Sequence, residues 1–66
     1  MELKDLMKER REVLSLTQKD LAEMAQVGVA TVKDIERGQG NPSLSTIKKI
    51  LDVLGIEIEY RVRKTI

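Results

Sequence analysis

The chain has 66 residues, 35% of them charged, a formal net charge of +1 and neither cysteine nor histidine. Disulfides are excluded, and so are the thiolate and imidazole ligands on which most zinc sites depend, so no metal or other cofactor is expected. A chain this short hides only about 60% of the surface it exposes when unfolded, so its stability must come from an efficient helical core, from a partner subunit, or from both.

Residues 2–14 are strong helix formers, with Leu3, Met7 and Leu14 on one stripe and Leu6 and Val13 beside it. Arg10 interrupts that stripe. Ser15 and Leu16 break the pattern before Thr17, a good N-cap, and Asp20 follows in the first turn, where a carboxylate suits the helix dipole. The spacing predicts a second helix over 18–25, with Leu21, Ala22 and Ala25 turned inward. Gln26, Val27 and Gly28 form a short connector to a third helix over 29–37, which buries Val32 and Ile35 and stops at Gly38. Gly40, Asn41 and Pro42 together signal a turn. Ser43 then caps a fourth helix over 44–54, with Leu44, Ile47, Ile50, Leu51 and Leu54 at helical spacing and Gly55 at its end. Beyond it the period changes to two: Ile56, Ile58, Tyr60 and Val62 alternate with Glu57, Glu59, Arg61 and Arg63, the pattern of a strand over 56–63. The class is all-α with one C-terminal strand, in a single domain over 1–66. The apolar runs are too short to span a membrane, and nothing at the N-terminus resembles a signal peptide, so a cytoplasmic location is expected.

Several functions are excluded at this level. Tyr60 is the only aromatic residue, which leaves no stacking platform for single-stranded nucleic acid. No histidine or cysteine is available for catalysis, and Gly38 and Gly40 read as a helix stop and a turn, not as a phosphate cradle; the chain is not expected to be an enzyme. With so small a net charge there is no whole-protein basic field, and any nucleic-acid contact must come from a local arrangement.

Two short helices joined by a three-residue connector are the core of a helix-turn-helix. Such a motif lays its second helix in the major groove of DNA with the N-terminal residues against base edges. Here Val29, Ala30, Lys33 and Asp34 project from the outer side of that helix. Val29 and Ala30 can touch thymine methyls, and Lys33 can donate to guanine or to phosphate. Asp34 can accept from cytosine, or stay solvated or salt-bridged. Thr17 and Gln18 open the other helix of the motif, whose free backbone N–H groups and dipole attract a phosphate. Arg37, Asn41 and Ser43 flank the following loop, within reach of the backbone further along. A bundle with no nucleic-acid role, holding a protein partner instead, remains the alternative.

The ordered set Leu16-Thr17-Gln18-Lys19-Asp20-Leu21-Ala22, Val27, Thr31 to Gly38, Asn41-Pro42-Ser43-Leu44 and Leu54-Gly55 resembles the Xre or lambda-repressor-like family over nearly the whole chain. The resemblance implies a repressor that binds double-stranded DNA at the bacterial or archaeal nucleoid. It makes Gln18 a backbone anchor and Arg11 and Glu36 an architectural pair that ties the first helix to the end of the third. Gly28 stands where the family often has a polar cap, a weaker choice.

A lone strand in a four-helix domain leaves its backbone groups unpaired. Antiparallel pairing with the same strand of a second copy, about an axis at Tyr60, faces Glu57 with Arg63 and Glu59 with Arg61. On the other face Ile58 meets Val62, and Tyr60 meets its own copy. Slipping by two residues opposes like charges, and slipping by one mixes the faces. The expected partners are therefore a second copy and a palindromic operator. A final strand after Leu54-Gly55 is similar to the HipB-type antitoxins, which implies autoregulation and a HipA-type kinase toxin as a further partner. A stand-alone regulator of phage or restriction-modification genes is the alternative within the family.

Overall fold

The computed structural model describes residues 2–64. Four helices follow one another: α1 (Leu3–Val13), α2 (Gln18–Ala25), α3 (Val29–Glu36) and α4 (Leu44–Leu54). The pair α1 and α3 lies against α2 and α4 such that α2 packs on both α3 and α4, and α1 packs on both as well. The core is made by Met7, Leu21, Ala22, Ala25, Val32, Ile35, Ile50, Leu51 and Leu54, with Leu16, Val27, Ile47, Val53 and Ile56 packed around it. The expected stripe of α1 contributes less than its pattern suggested. Met7 alone is fully buried, whereas Leu3 at the start of the helix and Val13 and Leu14 at its end are exposed. Leu44, in the first turn of α4, is also exposed.

All four helices end in one way. In each, a residue with positive φ follows the helix, its N–H reaches back three residues and the next N–H reaches back five, the Schellman pattern. The pairs are Ser15 to Glu12 with Leu16 to Arg11, Gln26 to Glu23 with Val27 to Ala22, Gly38 to Ile35 with Gln39 to Asp34, and Gly55 to Asp52 with Ile56 to Leu51. In three of these closures the next residue is apolar, and Leu16, Val27 and Ile56 turn in against the core. Each stop is therefore also a packing contact, which gives short helices fixed exit directions. Arg10, the residue that interrupts the apolar stripe, donates from Nε to the Leu54 carbonyl at 3.1 Å and so satisfies the end of α4 from α1.

Residues 56–64 carry no ladder with any other described segment, so no strand is present among the described residues. A strand needs a partner, and the four helices offer it no edge. Ile58, Tyr60 and Val62 are exposed, Val62 almost completely at 98%. The Lys48 ammonium lies 5.7 Å from the centre of the Tyr60 ring, a cation–π contact that holds the segment near α4. No described helix is long and apolar enough to cross a membrane.

Candidate nucleic-acid interface

The site is built on α2 and α3, separated only by Gln26, Val27 and Gly28. At the start of α2, Thr17 and Asp20 cap the helix reciprocally. The Thr17 hydroxyl oxygen accepts from the Asp20 N–H at 2.9 Å, and the Thr17 N–H donates to the Asp20 carboxylate at 3.0 Å. These hydrogen bonds, the backbone one foremost, hold the Asp20 carboxyl below its ordinary value. The Thr17 hydroxyl proton is not consumed by this cap, and the hydroxyl donates to no partner among the described residues. Gly28 opens α3 without a side-chain cap, as a glycine must.

Behind the motif sits a buried ionic cluster. Glu36, at the end of α3, is 1% exposed and carries the only buried charge among the described residues. Arg11 on α1 grips it with two parallel bonds, Nε to Oε2 at 2.8 Å and Nη2 to Oε1 at 3.0 Å, and its remaining Nη1 donates to the Leu16 carbonyl at 3.0 Å. This bond to Glu36 also raises the Arg11 pKa, keeping the guanidinium charged at any working pH. Gln18 completes the cluster, donating from Nε2 to Glu36 Oε1 at 3.2 Å. One amide hydrogen of Gln18 is thereby committed to the protein, and the second remains to donate outward. The family resemblance implies the pairing of Arg11 with Glu36 but gives no sign of Gln18 as a third member. A polar residue at a helix start has too many possible partners for its spacing to name one. The consequence is geometric: one carboxylate ties α1, the start of α2 and the end of α3 together.

On the outer side of α3, Val29, Ala30 and Lys33 are exposed, and Lys33 makes no hydrogen bond or ion pair among the described residues. Asp34 and Arg37 are not free in the same sense, because the Arg37 guanidinium donates to the Asp34 carboxylate across one helical turn. Asp34 also borders a shallow hollow shared with Thr31, Gly40 and Asn41, which brings Asn41 beside α3. Ser43 acts as the N-cap of α4, accepting from the Thr46 N–H at 3.1 Å and bonding its hydroxyl to that of Thr46 at 3.0 Å. The candidate residues thus fall into three groups: a capped helix start with Thr17 and Gln18, an open α3 surface with Val29, Ala30 and Lys33, and a self-paired end with Asp34 and Arg37 leading to Asn41 and Ser43.

Comparison with known proteins agrees with this arrangement. Residues 7–61 match the family described as helix-turn-helix. The chain is 38% identical over 58 residues to the HTH-type transcriptional regulator DdrOP3 of Deinococcus deserti, covering 88% of this chain and 45% of that one. It is 43% identical over 56 residues to the immunity repressor protein of Bacillus phage phi105, covering 85% of this chain and 36% of the repressor. An uncharacterised HTH-type transcriptional regulator of Methanocaldococcus jannaschii is 39% identical over 57 residues, with 86% of each chain covered. The chain thus spans less than half the length of the first two relatives. With four helices in this order, the α2–α3 pair at their centre and a match across most of its length, the chain belongs to the helix-turn-helix family.

Proposed function

We propose that this chain binds double-stranded DNA as a symmetric dimer and represses transcription. The observation that carries the reading is the open surface of α3: Val29, Ala30 and Lys33 stand exposed on a helix whose far end is locked by the buried Glu36 cluster. A major groove admits a helix presented in this way, and the lock fixes its angle before binding, which limits the ordering that binding must impose. Gln18 directs its uncommitted amide hydrogen to a backbone phosphate at the start of α2, and Thr17 adds its hydroxyl. Lys33 reads guanine or holds phosphate, Val29 and Ala30 meet thymine methyls, and Arg37, Asn41 and Ser43 grip the backbone beyond the loop.

Dimerisation runs through residues 56–63. Exposure of Ile58, Tyr60 and Val62, and the absence of any described neighbour for their backbone, support pairing with a second copy. In the two-fold register Glu57 faces the partner's Arg63 and Glu59 faces the partner's Arg61. Within one chain Arg61 already bonds to Glu59 at 3.3 Å, an exposed pair weak enough to exchange for the intermolecular one. The names of the relatives, two regulators and a phage immunity repressor, support a transcriptional regulator, here read as a stand-alone one acting in the cytoplasm. An antitoxin role beside a kinase toxin rests on the resemblance of the C-terminal segment alone.

Titration of a labelled duplex at several salt concentrations tests the reading against that of a protein-interaction module. Phosphate contacts release counterions, so affinity should fall steeply and linearly on a log–log plot as salt rises. Affinity that is absent, or indifferent to salt, would assign the α2–α3 surface to a protein partner instead.

A further inference from the structure

We propose that Asp34 is a specificity-determining residue that restrains Arg37, so that the pair stays closed on non-matching DNA and opens where Asp34 finds a donor on a base. The proposal rests on the DNA-binding reading above and concerns one ion pair within it. Both groups lie on the exposed side of α3, and Arg37 sits at its C-terminal end, where a cation is favoured by the helix dipole. The Asp34 side chain is 42% exposed and that of Arg37 is 60% exposed. An exposed pair of this kind contributes little to stability, so it can open on contact with a better partner.

Asp34 is nonetheless held in place. The Gly40 backbone, with φ +79, lies so close that a Cβ there would come within 3.3 Å of the Asp34 Cβ, and Gln39 donates its N–H to the Asp34 carbonyl at 2.8 Å. The Gly40 backbone therefore packs against the Asp34 side chain, whose carboxylate meets Arg37. Bare, this carboxylate would face phosphates and be repelled. Paired with Arg37, it is neutralised, but it takes a phosphate-binding guanidinium out of use. The closed state thus subtracts one backbone contact from every sequence. A cytosine amino group in the major groove offers Asp34 a replacement donor. Where it does so, Arg37 is released with its five donors to the backbone, and the matching sequence gains two contacts together. The pair converts one base contact into a larger difference between matching and non-matching DNA.

The test uses Asp34→Asn, which keeps the shape braced by Gly40 and removes the charge. Binding is measured across a salt series to a random-sequence duplex and to the duplex that the parent protein selects from a random pool. For the random duplex, Asp34→Asn should bind roughly tenfold tighter at low salt, and the log–log slope should steepen by about 0.9, the value for one added phosphate contact. The ratio of affinities for selected over random duplex should fall. Adding Arg37→Ala to Asp34→Asn should return the slope to that of the parent, because the gain is that of Arg37 and not of a general loss of negative charge. An unchanged slope for Asp34→Asn, or a gain that survives Arg37→Ala, overturns the proposal while leaving DNA binding by the parent intact. A parent that binds neither duplex overturns the DNA reading and this proposal with it.

Discussion

At the residue scale the most consequential position is Glu36, a carboxylate removed from water inside a small domain. Desolvation of one ion is offset only because Arg11 supplies a bidentate fork and Gln18 a third hydrogen bond. Removing one partner strands the other. Arg11→Met should destabilise by about 3 kcal/mol, the lower end of the range for breaking buried pairs, since the Arg11 side chain is still 17% exposed. Arg11→Met combined with Glu36→Leu should recover much of that loss. Thermal denaturation of the two variants checks both, and a loss below about 1 kcal/mol for Arg11→Met would mean that water screens the cluster. The Arg11–Glu36 pairing is legible only through family resemblance, because residues 25 positions apart carry no local signal. Arg10 shows the opposite failure. It looks like an error in an apolar stripe, yet it bonds a carbonyl of α4 from the far end of the sequence.

At the element scale, the helices are legible from period and caps, and their stops only in part. Gly38 and Gly55 announce themselves, because glycine takes positive φ without strain. Ser15 and Gln26 do the same task at φ 56 and φ 58, and nothing in their side chains says so. Both bear the strain of a left-handed L-residue, on the order of 1–2 kcal/mol, so Gln26→Gly should stabilise the fold by about 0.5–1 kcal/mol after glycine's own entropy is deducted. For a domain of this size that corresponds to a rise of a few degrees in Tm, roughly 2–8 °C, and a fall instead would contradict the strain argument. The cap of α2 makes a second prediction. Because the Asp20 carboxyl is held below its ordinary value, the stability it lends is complete above the usual carboxylate pKa of about 3.9 and is lost as pH falls through the lowered one. Melting curves of the parent and Asp20→Ala should therefore differ at neutral pH and converge in strong acid. A gap that widens in acid would show that the ionised carboxylate is not the stabilising form.

At the scale of the whole molecule, the last segment is where sequence and fold part. Its alternation is plain, yet a strand exists only where another strand accepts its hydrogen bonds, and the four helices supply none among the described residues. The pattern from Ile56 to Arg63 is legible as a request for a partner, and the described residues of the single chain hold no answer to it. Among the described residues of the segment, Ile56 closes α4 and packs on the core, and Tyr60 meets the Lys48 ammonium from outside. Truncation after Ile56 should then leave the helices folded but monomeric, while the full chain sediments as a dimer. A truncated chain that remains a dimer would place the interface elsewhere, with the exposed Met24 or Leu44 as starting points.

A two-fold pair of α3 helices presented to one DNA duplex leaves a signature that selection from random duplex DNA reads out. Recovered sites should be inverted repeats, with half-site centres about one helical turn apart, roughly 10–10.5 base pairs. With Val29 and Ala30 in place of longer polar readers, part of the preference should fall on the uncontacted base pairs between half-sites, where bending and groove width are read. Sites that lack two-fold symmetry, or a single half-site sufficient for full affinity, would contradict the two-fold pair.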